Sequence, residues 1–307
     1  MSAEIEALSL RRIRAALLER GLRPSRKWGQ NFLTDVGLLD RMVAAAKVGP
    51  DDLVLEVGPG PGTLTARLLL AGSRVVGVEV DPAMLAVNRA LLGEPERLSL
   101  VQADILADRP GLPRPLEQEL TRLGARPTAV VSNLPYQVAS TFLVDAFQWQ
   151  EPVRTVVTIQ WEVAERILAR PGSSAYGPLS ALLQLRSRAT LLRRIPPAAF
   201  WPRPEVDSAC VLLEPVALED PRGTLPAPFL NEVVKAAFFS RRKRLLNSLS
   251  LAFKGRLEKP RLAECLAQIP LKNESRGEQL SPMELLDLAW TLWRELGPGE
   301  GGAGGSR

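Results

Sequence analysis

A chain of 307 residues that is 46% hydrophobic and carries a formal net charge of +5 has enough apolar surface for a sizeable buried core. No run of about 18 apolar residues occurs, and Glu4 and Glu6 stand where a secretion signal needs a basic start and an apolar stretch, so the sequence reads as cytoplasmic, with no membrane partner. Histidine is absent, which excludes Ser-His-Asp and Cys-His catalysis and His-based metal sites, and the two distant cysteines, Cys210 and Cys265, make neither a disulfide framework nor a metal site.

Residues 1–27 hold seven Lys/Arg against three Asp/Glu and read as a basic N-terminal arm. From residue 53 to 160, short apolar runs alternate with helical patterns, as in a parallel sheet covered by helices. The spacing predicts strands over residues 53–57, 74–80, 98–102, 129–132 and 153–159, and helices over 63–70, 83–91, 140–147 and 161–169. Residues 108–127, rich in Pro, Arg and Leu, predict a short helix on a surface excursion. Two further strands, 185–192 and 208–214, joined by a proline-rich stretch, would finish the sheet as an antiparallel edge. The fold class is therefore α/β, Rossmann-like, with a small all-α C-terminal domain. The expected divisions are the arm 1–27, a catalytic domain 28–217, a helical domain 218–296 entered through a linker near 219–228, and a glycine-rich tail 297–307 expected to be disordered. Residues 186–261 carry fifteen Lys/Arg against seven Asp/Glu, which leaves the body between the two basic regions acidic. That arrangement fits a grip on a polyanion.

Candidate ligand residues come in order at successive strand ends. After the first strand, Gly58-Pro59-Gly60-Pro61-Gly62 lets the backbone turn sharply and approach a ligand closely, although Gly58, Gly60 and Thr63 depart from dinucleotide GxGxxG spacing. The second strand ends at Glu79 and Asp81, and an acid there can accept both hydroxyls of an adenosine ribose; Glu79 is preferred. After the third, Asp104 is placed to accept from an adenine amine. After the fourth comes Asn133-Leu134-Pro135-Tyr136. A nucleobase amine is a poor nucleophile because its lone pair is delocalised into the ring, so an enzyme acting through it must hold the amine hydrogens with acceptors. The Asn133 side-chain oxygen and the Leu134 carbonyl beside Pro135 can do so, and Tyr136 offers a face on which a flipped base could stack. An ordinary strand-to-helix turn explains the tetrapeptide equally well when it is taken alone.

Together these residues resemble the small-subunit (16S) ribosomal RNA adenine N6,N6-dimethyltransferase family, a class I methyltransferase family. The likeness covers roughly residues 23–250 and includes Lys27-Trp28-Gly29-Gln30-Asn31-Phe32-Leu33, the glycine loop, Val78-Glu79-Val80-Asp81, Gln102-Ala103-Asp104 and Ser132 to Tyr136. It continues with Ala175 to Ser180, Phe200 to Ser208, and Phe239-Ser240-Arg241-Arg242-Lys243 followed by Asn247-Ser248-Leu249. The resemblance implies S-adenosylmethionine as methyl donor and no metal, with Asn31, Leu33, Gly58, Gly60, Glu79, Asp104 and Asn133 around it. It implies that Asn133 and Leu134 hold the target amine, with Tyr136 and Phe200 flanking the adenine. Arg23, Arg26 and Lys27 and an arginine-rich helix carrying Arg241, Arg242, Lys243 and Arg244 would lie against RNA phosphates. The implied partner is small-subunit rRNA in an immature 30S-type particle, bound by a monomer. A large-subunit rRNA adenine methyltransferase of the antibiotic-resistance type and a non-catalytic ribosome-assembly factor remain as alternatives. The chain departs from the family at Trp161 and Glu205, where Lys is usual, and both changes remove positive charge from places expected to meet RNA.

Overall fold

The computed structural model describes residues 8–25, 28–109, 111–149, 151–218, 220–271 and 274–297. In chain order the elements are α1 (Leu10–Glu19), β1 (Phe32–Leu33), α2 (Val36–Ala46), β2 (Leu53–Val57), α3 (Thr63–Leu70), β3 (Arg74–Glu79), α4 (Pro82–Leu92), β4 (Leu98–Gln102), α5 (Arg114–Leu123), β5 (Ala129–Asn133) and α6 (Tyr136–Ala146). They continue with β6 (Arg154–Gln160), α7 (Trp161–Leu168), α8 (Pro178–Arg186), β7 (Ser187–Ile195), β8 (Phe200–Trp201), β9 (Ser208–Pro215), α9 (Ala227–Ala237), α10 (Leu245–Ala252), α11 (Lys259–Ala267) and α12 (Pro282–Leu296). The chain forms two units, Met1–Ala164 with Ser187–Pro215, and Glu165–Arg186 with Val216–Arg307.

In the first unit, the main sheet runs β4-β3-β2-β5-β6-β9-β7. β2 to β6 are mutually parallel, β9 is antiparallel to β6, and β7 is antiparallel to β9, which is the edge the sequence predicts. Order along the sheet reverses between β2 and β5, the place where open parallel sheets bind ligands beyond their strand ends. Val54, Ala129, Val131 and Val156 pack on Leu38, Leu39 and Met42 of α2 and on Leu64 and Leu68 of α3 in one apolar core. The basic arm contains a helix that the charge pattern conceals. Ser9 caps α1 by accepting from the Arg12 N–H, and Ile13, Ala16 and Leu17, one stripe at helical spacing, bury against Met84 and Val87 of α4. The segment predicted as strand from 185 is helical to Arg186, because Leu182, Leu183 and Leu185 bury within α8, and β7 begins only at Ser187.

In the second unit, α8, α9 and α12 pack on one another, and α10 and α11 join them. Phe229 meets Trp293 edge-on at 4.8 Å, and Tyr176 lies against Phe238 at 5.8 Å. Ser281 and Glu284 close a reciprocal cap at the start of α12, with Pro282 in its first turn. The expected linker is tied down at Asp220, which accepts from Trp290 Nε1 at 2.8 Å; the Arg222 guanidinium beside it holds its carboxyl down at about 2. Residues 298–307, most of the expected tail, lie outside the described residues.

One core carboxyl carries a pH prediction. Glu56 in β2 is 2% exposed, and its Oε2 accepts from the Thr65 hydroxyl at 2.6 Å. Burial pushes its carboxyl up to about 8 from the ordinary 4.5, with Glu79 adding to the rise. The folded chain thus holds this proton more tightly than the unfolded chain, so the contribution is whole below about pH 4.5 and is lost as pH climbs to about 8. Glu56→Gln still offers Thr65 an oxygen but has no proton to lose. Its melting temperature should decline less than wild type between pH 5 and about pH 8, and overtake it at the alkaline end. Parallel melting curves for the two proteins across that range would refute the assignment.

Candidate active site

Beyond the ends of β2, β3, β4 and β5 lies a cleft. Two glycines shape the turn after β2, and the first of them lines the cleft. Gly58 has φ 69°, donates its N–H to the Val78 carbonyl at 2.8 Å, and sits so close to the turn after β5 that a Cβ would lie 3.0 Å from Pro135 Cγ. Gly62, at φ 94°, starts α3 where a Cβ would press Leu92 and Asn88 at 2.8 and 2.9 Å. Both positions need a residue without a side chain, for conformation and for space.

Glu79 is 7% exposed and lines the cleft. Its Oε2 accepts from the Gly60 N–H at 3.1 Å and its Oε1 from the Asp81 N–H at 3.0 Å. Burial raises its pKa, and these backbone bonds oppose the rise. A carboxylate has about four acceptor sites, so roughly two remain for a ligand's hydroxyls. Asp81 is committed elsewhere: one oxygen caps α4 through the Ala83 N–H at 2.9 Å and the other takes Gln30 Nε2 at 2.7 Å. Asp104 also lines the cleft, with Oδ1 accepting from the Leu106 N–H at 2.9 Å.

The opposite wall is Asn133-Leu134-Pro135-Tyr136, all four of which line the cleft. Asn133 Nδ2 donates to the Asn31 carbonyl at 2.8 Å, and its Oδ1 accepts a short bond from Thr158 Oγ1. A carbonyl can only accept, so the amide's orientation is fixed, and one lone pair of Oδ1 remains beyond the one Thr158 occupies. Thr158, 1% exposed, stands beside Asn133 in the β5–β6 register. Tyr136 opens α6, and its hydroxyl shares a 2.8 Å hydrogen bond with Ser208 Oγ, which pins the ring. Burial raises the Tyr136 pKa, so the phenol stays protonated. Gln30, whose Oε1 accepts from the Ser25 N–H at 2.7 Å, ties the segment before β1 to Asp81.

Of the residues singled out from sequence, Asn31, Gly58, Gly60, Glu79, Asp104 and Asn133 to Tyr136 come together around this cleft. Leu33 and Phe200 do not. They face each other across the antiparallel β1–β8 pair at 1% and 3% exposure, inside the apolar core, and strand alternation turns Phe32 to the cleft instead. Arg23 is exposed, and Arg26 and Lys27 lie outside the described residues. In the second unit, Arg241 to Arg244 lie on the exposed turn between α9 and α10 and not on a helix. Arg241 donates to the Ser173 carbonyl at 3.0 Å and pairs with Glu278, and Arg244 pairs with Glu274 at 2.6 Å. Such exposed pairs are worth about 0–1 kcal/mol and exchange readily for phosphate. Sequence reading missed Thr158 and the anchoring role of Ser208, because their importance lies in cross-strand register and not in any local pattern.

The model of a family described as ribosomal RNA adenine dimethylase matches residues 22–288. A protein named ribosomal RNA small subunit methyltransferase A from Anaeromyxobacter dehalogenans is 43% identical over 88% of this chain and 94% of its own length. Its namesake from Moorella thermoacetica is 36% identical over 91% of this chain and 96% of its own length. Among solved structures, a dimethyladenosine transferase from Plasmodium falciparum superposes with TM-score 0.68 at 24% identity, covering 87% of this chain and 98% of that one. A 23S rRNA methyltransferase, ErmE, superposes with TM-score 0.59 at 23% identity, covering 85% and 99%. These two superpositions speak to the fold alone.

Proposed function

The chain belongs to the ribosomal RNA adenine dimethylase family and is an rRNA methyltransferase of the small subunit; on that premise we propose that the cleft binds S-adenosylmethionine and the N6 amine of a flipped adenosine together. The observation that carries the reading is Asn133, whose amide is locked by Asn31 and Thr158 in the same cleft that Glu79 and Gly60 line. The residues fit the donor. Glu79 has acceptor capacity for a ribose, Asp104 keeps a second oxygen for an adenine amine, and Gly58 leaves room where a side chain would strike Pro135. S-adenosylmethionine, when bound, supplies a methyl on a sulfonium centre for direct in-line transfer to the amine, and no metal is needed.

The chain's own groups position and accept. Asn133 Oδ1, with one lone pair left, and the Leu134 carbonyl take the amine hydrogens and direct the nitrogen lone pair out of conjugation. Being neutral, Asn133 accepts from an amine bearing two hydrogens or one, which permits a second methylation. Tyr136, held by Ser208, is the platform for the flipped base. The substrate we propose is a pair of adjacent adenosines in the 3′-terminal hairpin of 16S rRNA, dimethylated by a cytoplasmic monomer acting on an immature 30S-type particle. Exposed Arg23, Arg242 and Lys243, with Arg241 and Arg244, are the candidates for phosphate contacts. Incubating the protein with labelled S-adenosylmethionine and immature small subunits, then mapping modified adenosines by mass spectrometry, should place all label on those two residues. Label only in large-subunit rRNA or in DNA would overturn the substrate.

A further inference from the structure

A second groove, separate from the methyl-transfer cleft, lies at the same end of the sheet and is lined by Gln160, Trp161, Glu162, Arg194, Val206 and Asp207. Its position follows from register. Thr158 pairs with Asn133, and Gln160, two residues further along β6, pairs with Ser208, whose hydroxyl holds Tyr136. The groove therefore begins one residue from the anchor of the proposed base platform. Its composition is that of a stacking site. The Arg194 guanidinium lies over the Trp161 indole at 4.3 Å. Asp207 fixes it there, accepting from Nε at 2.8 Å, while the Asp207 carbonyl accepts from the Trp161 N–H at 3.0 Å. Trp161 supplies an aromatic plane, and the cation over it comes from Arg194 on β7.

We propose that Trp161 and Arg194 form a stacking platform for the unpaired base next to the target adenosine, holding that base while its neighbour occupies the cleft. An indole and a guanidinium give a sequence-tolerant π surface, and the bond to Asp207 sets the guanidinium's place over the indole. The inference rests on the rRNA methyltransferase reading of the adjoining cleft.

The test is a double-mutant cycle between protein and RNA. Affinity is measured for a hairpin RNA with two adjacent unpaired adenosines, and for the same hairpin made abasic at one of them. Wild type should bind the abasic RNA roughly 5- to 100-fold more weakly, the cost of one lost base–aromatic stack. Trp161→Ala should bind both RNAs equally weakly, Trp161→Phe should restore most of the difference, and the salt dependence should keep its slope because no phosphate contact is lost. Calorimetric titration with S-adenosylmethionine shows that each variant is folded. Equal affinity of Trp161→Ala and wild type for the intact hairpin, or an abasic penalty undiminished in Trp161→Ala, would overturn the platform. Failure of wild type to methylate immature small subunits would overturn the functional reading itself, a separate outcome.

Discussion

Asn133→Ala is expected to lower the single-turnover rate of methylation by about 10²- to 10³-fold, the range seen when one preorganised polar group is removed from a reacting centre. The loss should fall on kcat more than on KM, because the amine needs its acceptor most as positive charge develops on nitrogen in the transition state. The geometry also predicts a graded companion. Thr158 occupies one lone pair of Asn133 Oδ1, and Asn31 holds the amide nitrogen, so the oxygen's remaining lone pair has a fixed direction. Thr158→Val removes the hydroxyl at nearly constant volume and frees that direction; a drop of about tenfold in kcat is expected, equivalent to one net hydrogen bond. Thr158→Ser should recover most of it, since the hydroxyl is restored. Thr158 acts only through Asn133, so its effect should vanish in an Asn133→Ala background. Additive losses in the double variant would mean that Thr158 matters for packing alone, and near-normal dimethylation by folded Asn133→Ala would remove the amide from the mechanism.

The parts of this site that sequence reveals are those in which one residue type does a backbone job. The strands at 53–57 and 98–102 and the helix at 63–70 have the expected bounds, because apolar runs between turn residues leave few alternatives. Gly58 and Glu79 are legible for the same reason: one follows a strand where the chain must turn, the other ends the next strand beside it. For Leu33 and Phe200 a motif gives residue order but not the parity of a two-residue strand, and parity turns the Phe32 side chain to the cleft. Helix α1 was hidden by composition, its arginines advertising a polyanion while Ile13 and Leu17, four apart, carried the packing signal. Thr158 could not be found locally at all. Its partner lies 25 residues earlier in the chain, and only the parallel β5–β6 ladder brings them level.

Glu79→Ala should weaken S-adenosylmethionine binding by at least about a hundredfold, as expected for losing two hydrogen bonds to a charged acceptor at roughly 1.5–3 kcal/mol each. Glu79→Gln separates the two tasks of this side chain. Its carboxylate oxygens each take a backbone N–H, from Gly60 and from Asp81, so an amide must turn one NH₂ toward a backbone donor and lose that bond. The glutamine variant should therefore bind weakly even though its shape is kept. The wild-type pH profile is the sharper readout. Burial raises the Glu79 pKa above the ordinary carboxylate value, and the ribose hydroxyls need the ionised form as acceptor. Cofactor affinity should thus be full at alkaline pH and fall as pH drops through this raised pKa, before an exposed carboxylate would protonate. Glu79→Gln should show no such inflection. An identical pH dependence in wild type and Glu79→Gln, measured by calorimetry, would assign the titration to another group and take the ribose contact away from Glu79.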